Sequence, residues 1–274
     1  MGGVYSLIAL GLSLIFGVMK VINFAHGAML AWGMYIALTA MRLTGIDPFF
    51  SFMMSAACLF VIGYIIQRTV VNRIMPFHES MQVIAMVGVM MVFENLAQII
   101  WGPDPHSPHT KYSLSTVWLG SVMIDVPRLL AFGIAILIAT LVFLFLKYTD
   151  LGKAIRASAD NRTGALLVGT DVNKVYGVCF GIGAACVGVA GSLLVPLIPT
   201  SPHVGFPFKL TSFAIVILGG MGSLPGAMLG GLIIGVAESL GTVFIPSSLK
   251  QIISFSIMVL ILLFRPQGLF GGKG

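Results

Sequence analysis

Charge is scarce in this chain. Only 9% of its 274 residues are Asp, Glu, Lys or Arg, with 9 acidic against 15 basic. Soluble domains carry about a quarter charged residues, so a water-soluble fold of this length would expose apolar surface that its charges could not cover. Cysteine is scarcer still. Cys58, Cys179 and Cys186 all lie in apolar stretches, with no CxxC and no Cys/His spacing. That pattern excludes a disulfide framework and a zinc site, and predicts three buried small hydrophobes. GxxxxGK[ST], HExxH and GxSxG are all missing, and His26, His78, His106, His109 and His203 are scattered. ATP hydrolysis and covalent catalysis therefore find no machinery here, and no cofactor or metal is expected. Gly220-Met221-Gly222 is followed by Gly226, one place too late for GxGxxG, and no strand–helix unit surrounds it.

What is present is apolar sequence: 58% of residues are hydrophobic and the mean hydropathy is +1.04. A membrane span needs about 20 apolar residues. Runs of that kind occupy 3–19, 25–41, 48–66, 81–100, 129–146, 175–196, 210–220, 227–244 and 249–264. The run 210–220 is short enough to be a broken or half helix. We therefore expect an all-α polytopic membrane protein with eight or nine transmembrane helices, forming one domain over 1–274. The first run has no basic segment before it and more spans after it, so it reads as a retained helix rather than a cleaved signal. Met1-Gly2-Gly3-Val4-Tyr5-Ser6 matches a myristoylation pattern by chance, since Gly2 opens a span.

The net charge of +6 lies mostly between these runs, which points to anionic headgroups and orientation rather than nucleic acid. With nine crossings, one side holds Lys20, Arg68, Arg73, Lys147, Lys153, Arg156, Arg162, Lys174, Arg265 and Lys273, and the other Arg42, Lys111, Arg128, Lys209 and Lys250. Ten against five places the N-terminus outside and the C-terminus in the cytoplasm. The stretch 101–128, with Pro103, Pro105 and Pro108, reads as an extended outer loop.

The long basic loop 148–174 lies on the inner side. Residues 154–159 and 161–168 have helix-forming composition, Asp160 is a suitable N-cap for the second, Gly169 a C-terminal stop and Asp171 a cap for the next span. Two readings stand. The short helix is an amphipathic turn beside headgroups, or a peg entering a partner's groove, with Ala165, Leu166 and Leu167 as the buried contact and Arg162 at the rim.

Gly152-Lys153-Ala154-Ile155-Arg156-Ala157, Asp160-Asn161 and Ala165-Leu166-Leu167-Val168-Gly169 together resemble the coupling-helix region of ABC importer permeases of the branched-chain amino acid type, often called the LivH type. Three further segments agree in the family's order: Phe16-Gly17-Val18-Met19-Lys20-Val21-Ile22-Asn23-Phe24-Ala25-His26-Gly27, Leu218-Gly219-Gly220-Met221-Gly222-Ser223-Leu224-Pro225-Gly226 and Phe264-Arg265-Pro266-Gln267-Gly268-Leu269-Phe270-Gly271. Gly164 departs, standing where the family tends to have an acidic or larger residue. The resemblance implies a permease subunit in a bacterial inner membrane, importing branched-chain amino acids or similar small polar solutes. It implies a second, related permease subunit, two cytoplasmic ATPase subunits that alone hydrolyse ATP, and an extracytoplasmic solute-binding protein. It assigns ATPase coupling to Asp160, Asn161, Arg162, Thr163, Ala165, Leu166, Leu167 and Gly169. An ATP-independent carrier or channel is the rival reading.

Polar groups inside spans are costly and face protein or a water-filled path. Asn23, Phe24, His26 and Gly27, then Glu94 and Asn95, then Glu238 are candidates for the translocation pathway, each with interhelical hydrogen bonding or packing as the alternative. Gly222, Gly226 and Gly230 form GxxxG steps suited to close helix packing.

Overall fold

The computed structural model describes all residues except 109–114, 120–121, 245, 247–248 and 272–274. His109, Lys111 and Lys273 of the sequence reading lie outside the described residues. The helices in chain order are α1 (Gly2–Met19), α2 (His26–Thr44), α3 (Phe52–Ile66), α4 (Asn72–Ile74), α5 (Glu79–Trp101), α6 (Val126–Tyr148), α7 (Asp150–Asp160), α8 (Arg162–Leu167), α9 (Val172–Leu194), α10 (Gly205–Gly219), α11 (Leu224–Gly241) and α12 (Lys250–Phe264). A π turn, Gln67–Val71, joins α3 to α4 and makes one span, Phe52–Ile74. Among the described residues, six helices are long and apolar enough to cross a membrane; α10 and α12 are shorter apolar helices. The expected all-α architecture has one exception among the described residues. Thr116–Leu119 (β1) and Val122–Asp125 (β2) pair antiparallel inside the stretch read as an extended loop.

In lipid there is no hydrophobic force pressing helix on helix, so close backbone approach must hold the bundle together. Both α1 and α9 are 83% buried over their most apolar stretch, whereas the corresponding stretch of α5 is only 17% buried. The first two form the centre and α5 lies at the rim. Glycines make the centre possible. A Cβ at Gly188 of α9 would sit 2.7 Å from the Ser55 carbonyl of α3, and one at Gly33 of α2 would sit 2.9 Å from the Cα of Gly188. The Ser55 hydroxyl then donates to the Gly33 carbonyl at 3.1 Å. Of the cysteines, Cys179 and Cys186 are buried as expected, but Cys58 is exposed on α3.

The C-terminal glycines do two jobs rather than one. Gly222 is not in a helix. It lies in the turn between α10 and α11 with φ +88, pressed on Gly17 of α1. The Gly222/Gly226 pair is therefore no helical GxxxG step. Gly226 and Gly230 pack α11 on α10, while Gly231 and Gly235 pack the same helix on Ser6 and Gly2 of α1.

Basic residues lie toward both ends of the bundle. Lys20, Arg156 and Asp160 line one cavity together with the 221–225 turn and Phe270. Arg68 lies within electrostatic reach of Asp171, and the chain beyond Arg265 folds onto the end of α10 through Leu269 N–H to the Leu218 carbonyl at 2.8 Å. Arg128 and Lys250 lie near Met1 at the opposite end. Lys209 is the exception: it is buried within the bundle, not placed at an end.

Glu238 is buried on α11 and accepts hydrogen bonds from Tyr5 of α1 at 2.8 Å and from Ser254 of α12. Three helices meet on one carboxyl.

Two outcomes test this packing. Gly188→Val destabilises the detergent-purified protein by about 1–3 kcal/mol, since neither facing backbone can yield, while Gly133→Ala, which has open space around it within α6, does not lower the thermal midpoint. Glu238→Leu, by leaving the Tyr5 and Ser254 hydroxyls without their acceptor, costs about 1–3 kcal/mol, and Glu238→Gln costs clearly less; thermal unfolding followed by tryptophan fluorescence reads both.

Candidate coupling and translocation sites

The loop between α6 and α9 folds as two short helices fixed at every joint. Thr149 opens α7, its hydroxyl accepting from Gly152 N–H at 3.1 Å. Arg156 turns back and donates to the carbonyls of Leu146 and Lys147, closing the carbonyl end of α6, where a cation is favoured. Ile155 and Ser158 of α7 are buried, and the helix rests against α1, α6 and α9.

Asn161, not Asp160, caps α8: its side-chain oxygen accepts from Gly164 N–H at 2.9 Å. Asp160 is the last residue of α7. The cap moves one residue because α7 runs on through Asp160, leaving Asn161 as the extended residue between the helices, with φ −149 and ψ 99. The other end stops as expected. Gly169 adopts φ +83, Thr170 N–H reaches the Ala165 carbonyl at 3.0 Å and Gly169 N–H the Leu166 carbonyl at 3.0 Å, the paired bonds of a Schellman end. Asp171 caps α9 on Lys174 N–H at 3.1 Å, and that amide and the Lys174 ammonium hold its carboxyl below the usual range.

The peg presents a different face from the one expected. Ala165 is buried against its own chain and is unavailable to a partner. Leu166 is 53% exposed, Leu167 84% and Val168 80%. Asp160, Asn161, Arg162, Thr163 and Gly169 are exposed around them. Val168, not singled out from the sequence, completes an apolar tip of three side chains. The Gly164 departure also has a local reason, because a Cβ there would come within 3.2 Å of the capping Asn161 side chain.

The second candidate group surrounds the start of α2. After α1 the chain reverses at Lys20, which is left-handed with φ 57, and runs without helix through Ala25. His26 then bonds the Ile8 carbonyl at 2.9 Å. Ile8 lies eleven residues before Met19, about 16 Å along the helix axis. So α2 begins beside the middle of α1, not at its end. This is a broken-helix entry, with irregular backbone held inside protein. Gly27 there meets Gly205 at the start of α10, backbone against backbone. Neither helix start carries a side-chain cap. Asn23 and His26 are wholly buried, while Phe24 meets Phe213 with ring centroids 5.3 Å apart.

Glu94 comes to the same region from α5. Its carboxylate pairs with His203 Nδ1 at 3.2 Å, and His203 Nε2 meets the Gln98 amide at 3.0 Å. Lys209 of α10, missed as a site residue from the sequence, stands beside them. Its ammonium lies 3.2 Å from Met90 Sδ, 5.7 Å from the Phe24 ring centroid and 4.7 Å from that of Phe206. The usable signal was a lone lysine within an otherwise apolar run. Two candidates fall elsewhere. Asn95 is exposed and donates to Met91 of its own helix at 2.7 Å. Glu238 belongs to the α1–α11–α12 junction, so its hydrogen bonds serve packing.

Comparison with known proteins identifies the family. The sequence profile of the family described as branched-chain amino acid transport system / permease component matches residues 1–262. The chain is 31% identical to the high-affinity branched-chain amino acid transport system permease protein BraD of Pseudomonas aeruginosa, over 98% of this chain and 92% of that one. It is 29% identical to the corresponding permease protein LivH of Escherichia coli, over 99% and 92%. It also matches the probable branched-chain amino acid transport permease protein LivM of Methanocaldococcus jannaschii at 30% identity, over 51% of this chain and 46% of that one. No solved structure matches. The chain belongs to the branched-chain amino acid transport permease family.

Proposed function

We propose that this chain is the membrane-spanning permease subunit of an ATP-driven importer of branched-chain amino acids, and that α8 is the element through which ATPase subunits drive it. The observation that carries the reading is the apolar tip Leu166, Leu167 and Val168, exposed on a short helix whose base is fixed on both sides. Burying one such side chain is worth about 1.5–3 kcal/mol, so three of them make a tip worth covering. A tip that merely dipped into headgroups would not need a base locked to α1, α6 and α9.

Rigidity is what makes the tip useful as a lever. A push on α8 passes through the Arg156 contacts to the end of α6 and through Asp171 to the start of α9, the central helix. Motion of α9 is motion of the helices packed on it, which is the coupling that alternating access requires. The partners follow from this reading: two cytoplasmic ATPases on the tips, a second permease subunit related to this one, and an extracytoplasmic binding protein that delivers the solute. The whole chain acts as one permease domain in the bacterial inner membrane. In this reading the six long apolar helices, α1, the span through α3 and α4, α5, α6, α9 and α11, form the membrane part together with α2 and the shorter apolar helices α10 and α12. The excess of basic residues in the segments on the side of α7 supports an extracytoplasmic N-terminus.

Leu167→Glu and Leu166→Glu each lower ATP-driven leucine uptake by about tenfold or more in vesicles reconstituted with the whole complex, with ATP enclosed on the ATPase side and leucine-loaded binding protein outside, the equivalent of 1.4 kcal/mol of docking, while membrane insertion and thermal stability stay at the wild-type level. Wild-type uptake in both variants contradicts the assignment. Leucine flux by the purified chain with no ATPase subunit present identifies a carrier or channel instead.

A further inference from the structure

The buried ammonium of Lys209 has no role in the packing described above. It is only 5% exposed, yet among the described residues it makes no ion pair, and its nearest polarisable neighbours are a thioether and two aromatic rings. Sulfur and ring faces stabilise a cation weakly compared with a carboxylate. A charge left in that state inside a bundle is expensive unless something else neutralises it. An acidic side chain is close by but is not in contact. Met90, on which the ammonium rests, is one helical turn before Glu94 on α5, so the two levels differ by about 6 Å along the axis. Glu94 is held by His203 at 3.2 Å, and a carboxylate has acceptor capacity beyond one such bond. A cation and an anion thus face one region from adjacent levels without joining.

That separation suits a ligand carrying both charges on neighbouring groups. We propose that Lys209 and Glu94 form a subsite for a free α-amino acid, the carboxylate at Lys209 and the ammonium at Glu94, with Phe24 and Phe206 against its aliphatic side chain. The rings match the apolar part: Phe24 is half-buried, and Phe206 leaves 54% of its surface open for contact. The uncapped starts of α2 and α10 meet at Gly27 and Gly205 beside this group, and their positive ends favour an anionic group there. Gln98 and His203 hold Glu94 in place from the exposed side. The arrangement also explains why the lysine and glutamate stay apart: a direct ion pair would close the site.

This inference rests on the importer reading, and the experiment separates the two. The complete complex, with its permease partner, ATPases and binding protein, is reconstituted in proteoliposomes, and leucine uptake and ATP hydrolysis are measured together. Lys209→Met keeps the apolar contact with Met90 and removes the charge; Glu94→Gln keeps the shape of the carboxylate. Each is expected to lower maximal leucine uptake by about tenfold or more. ATPase stimulation by leucine-loaded binding protein, and the concentration of that protein giving half-maximal rate, are expected to stay within about twofold, because docking occurs elsewhere. Lys209→Arg, which keeps a cation, retains most of the uptake. Wild-type uptake by Lys209→Met and Glu94→Gln overturns the subsite, as does a failure of Lys209→Met to assemble combined with normal uptake by Glu94→Gln. A wild-type complex without ATP-driven leucine uptake overturns the importer reading instead.

Discussion

Close contact between helix backbones is the constraint on which everything else depends. In a lipid environment, side chains such as Leu and Phe gain nothing by leaving the solvent for a neighbouring helix, so the helices must fit closely enough for dispersion and interhelical hydrogen bonds to hold them. Glycines of α9 supply that fit on three sides. Gly183 meets α1, Gly188 meets α2 and α3, and Gly191 meets the α2 backbone at Leu30. Such contact lets a displacement at one end of α9 travel, because backbones that touch cannot move independently. Both regions proposed as functional connect to this helix. The loop proposed for coupling enters it through the Asp171 cap, and the α2 segment that starts beside Ile8 lies along it.

The second consequence of close packing is the broken entry to α2. Six residues of non-helical chain between Met19 and His26 carry backbone groups that lipid could not satisfy. The central position of α1 and α2 shelters them. Sheltering has a cost in sequence freedom, seen in Lys20, the one non-glycine with positive φ among the described residues. The return is a place within the bundle where two helix starts, a lysine and aromatic rings come together, while the exposed edge of α5 supplies Glu94.

Much of this was legible in the sequence, for physical reasons that can be named. Apolar run length located the long helices, because a bilayer sets their size. Gly169 and Asp171 announced their turns, since left-handed backbone and helix starts have strong side-chain preferences. Other features were not legible. The choice of Asn161 over Asp160 as cap depended on how far α7 continues, and both residues cap well. Ala165 and Leu166 are neighbours in an apolar stretch, and only the rotation of α8 decides which is buried. Glu94 and Glu238 look alike as lone carboxyls in spans. Their partners, His203 for one and Tyr5 with Ser254 for the other, come from far along the chain. Lys209 reads as an end charge in the sequence because the apolar run 210–220 starts just after it, whereas α10 begins at Gly205 and carries the lysine inside. The β1–β2 pair lay in a stretch whose prolines masked its short alternating segments.

Force and solute are thus proposed to act at two separate regions of one tightly packed bundle, joined by α9, with α8 facing the cytoplasm and its apolar tip under an ATPase. The direct measurement is thiol accessibility of Leu167→Cys in a background lacking Cys58, Cys179 and Cys186, probed with a membrane-impermeant maleimide. The account predicts labelling in inside-out vesicles stripped of ATPase, protection when the ATPase subunits are restored, and none in intact cells. Labelling from the outside of intact cells, or labelling unaffected by the ATPase, would contradict it.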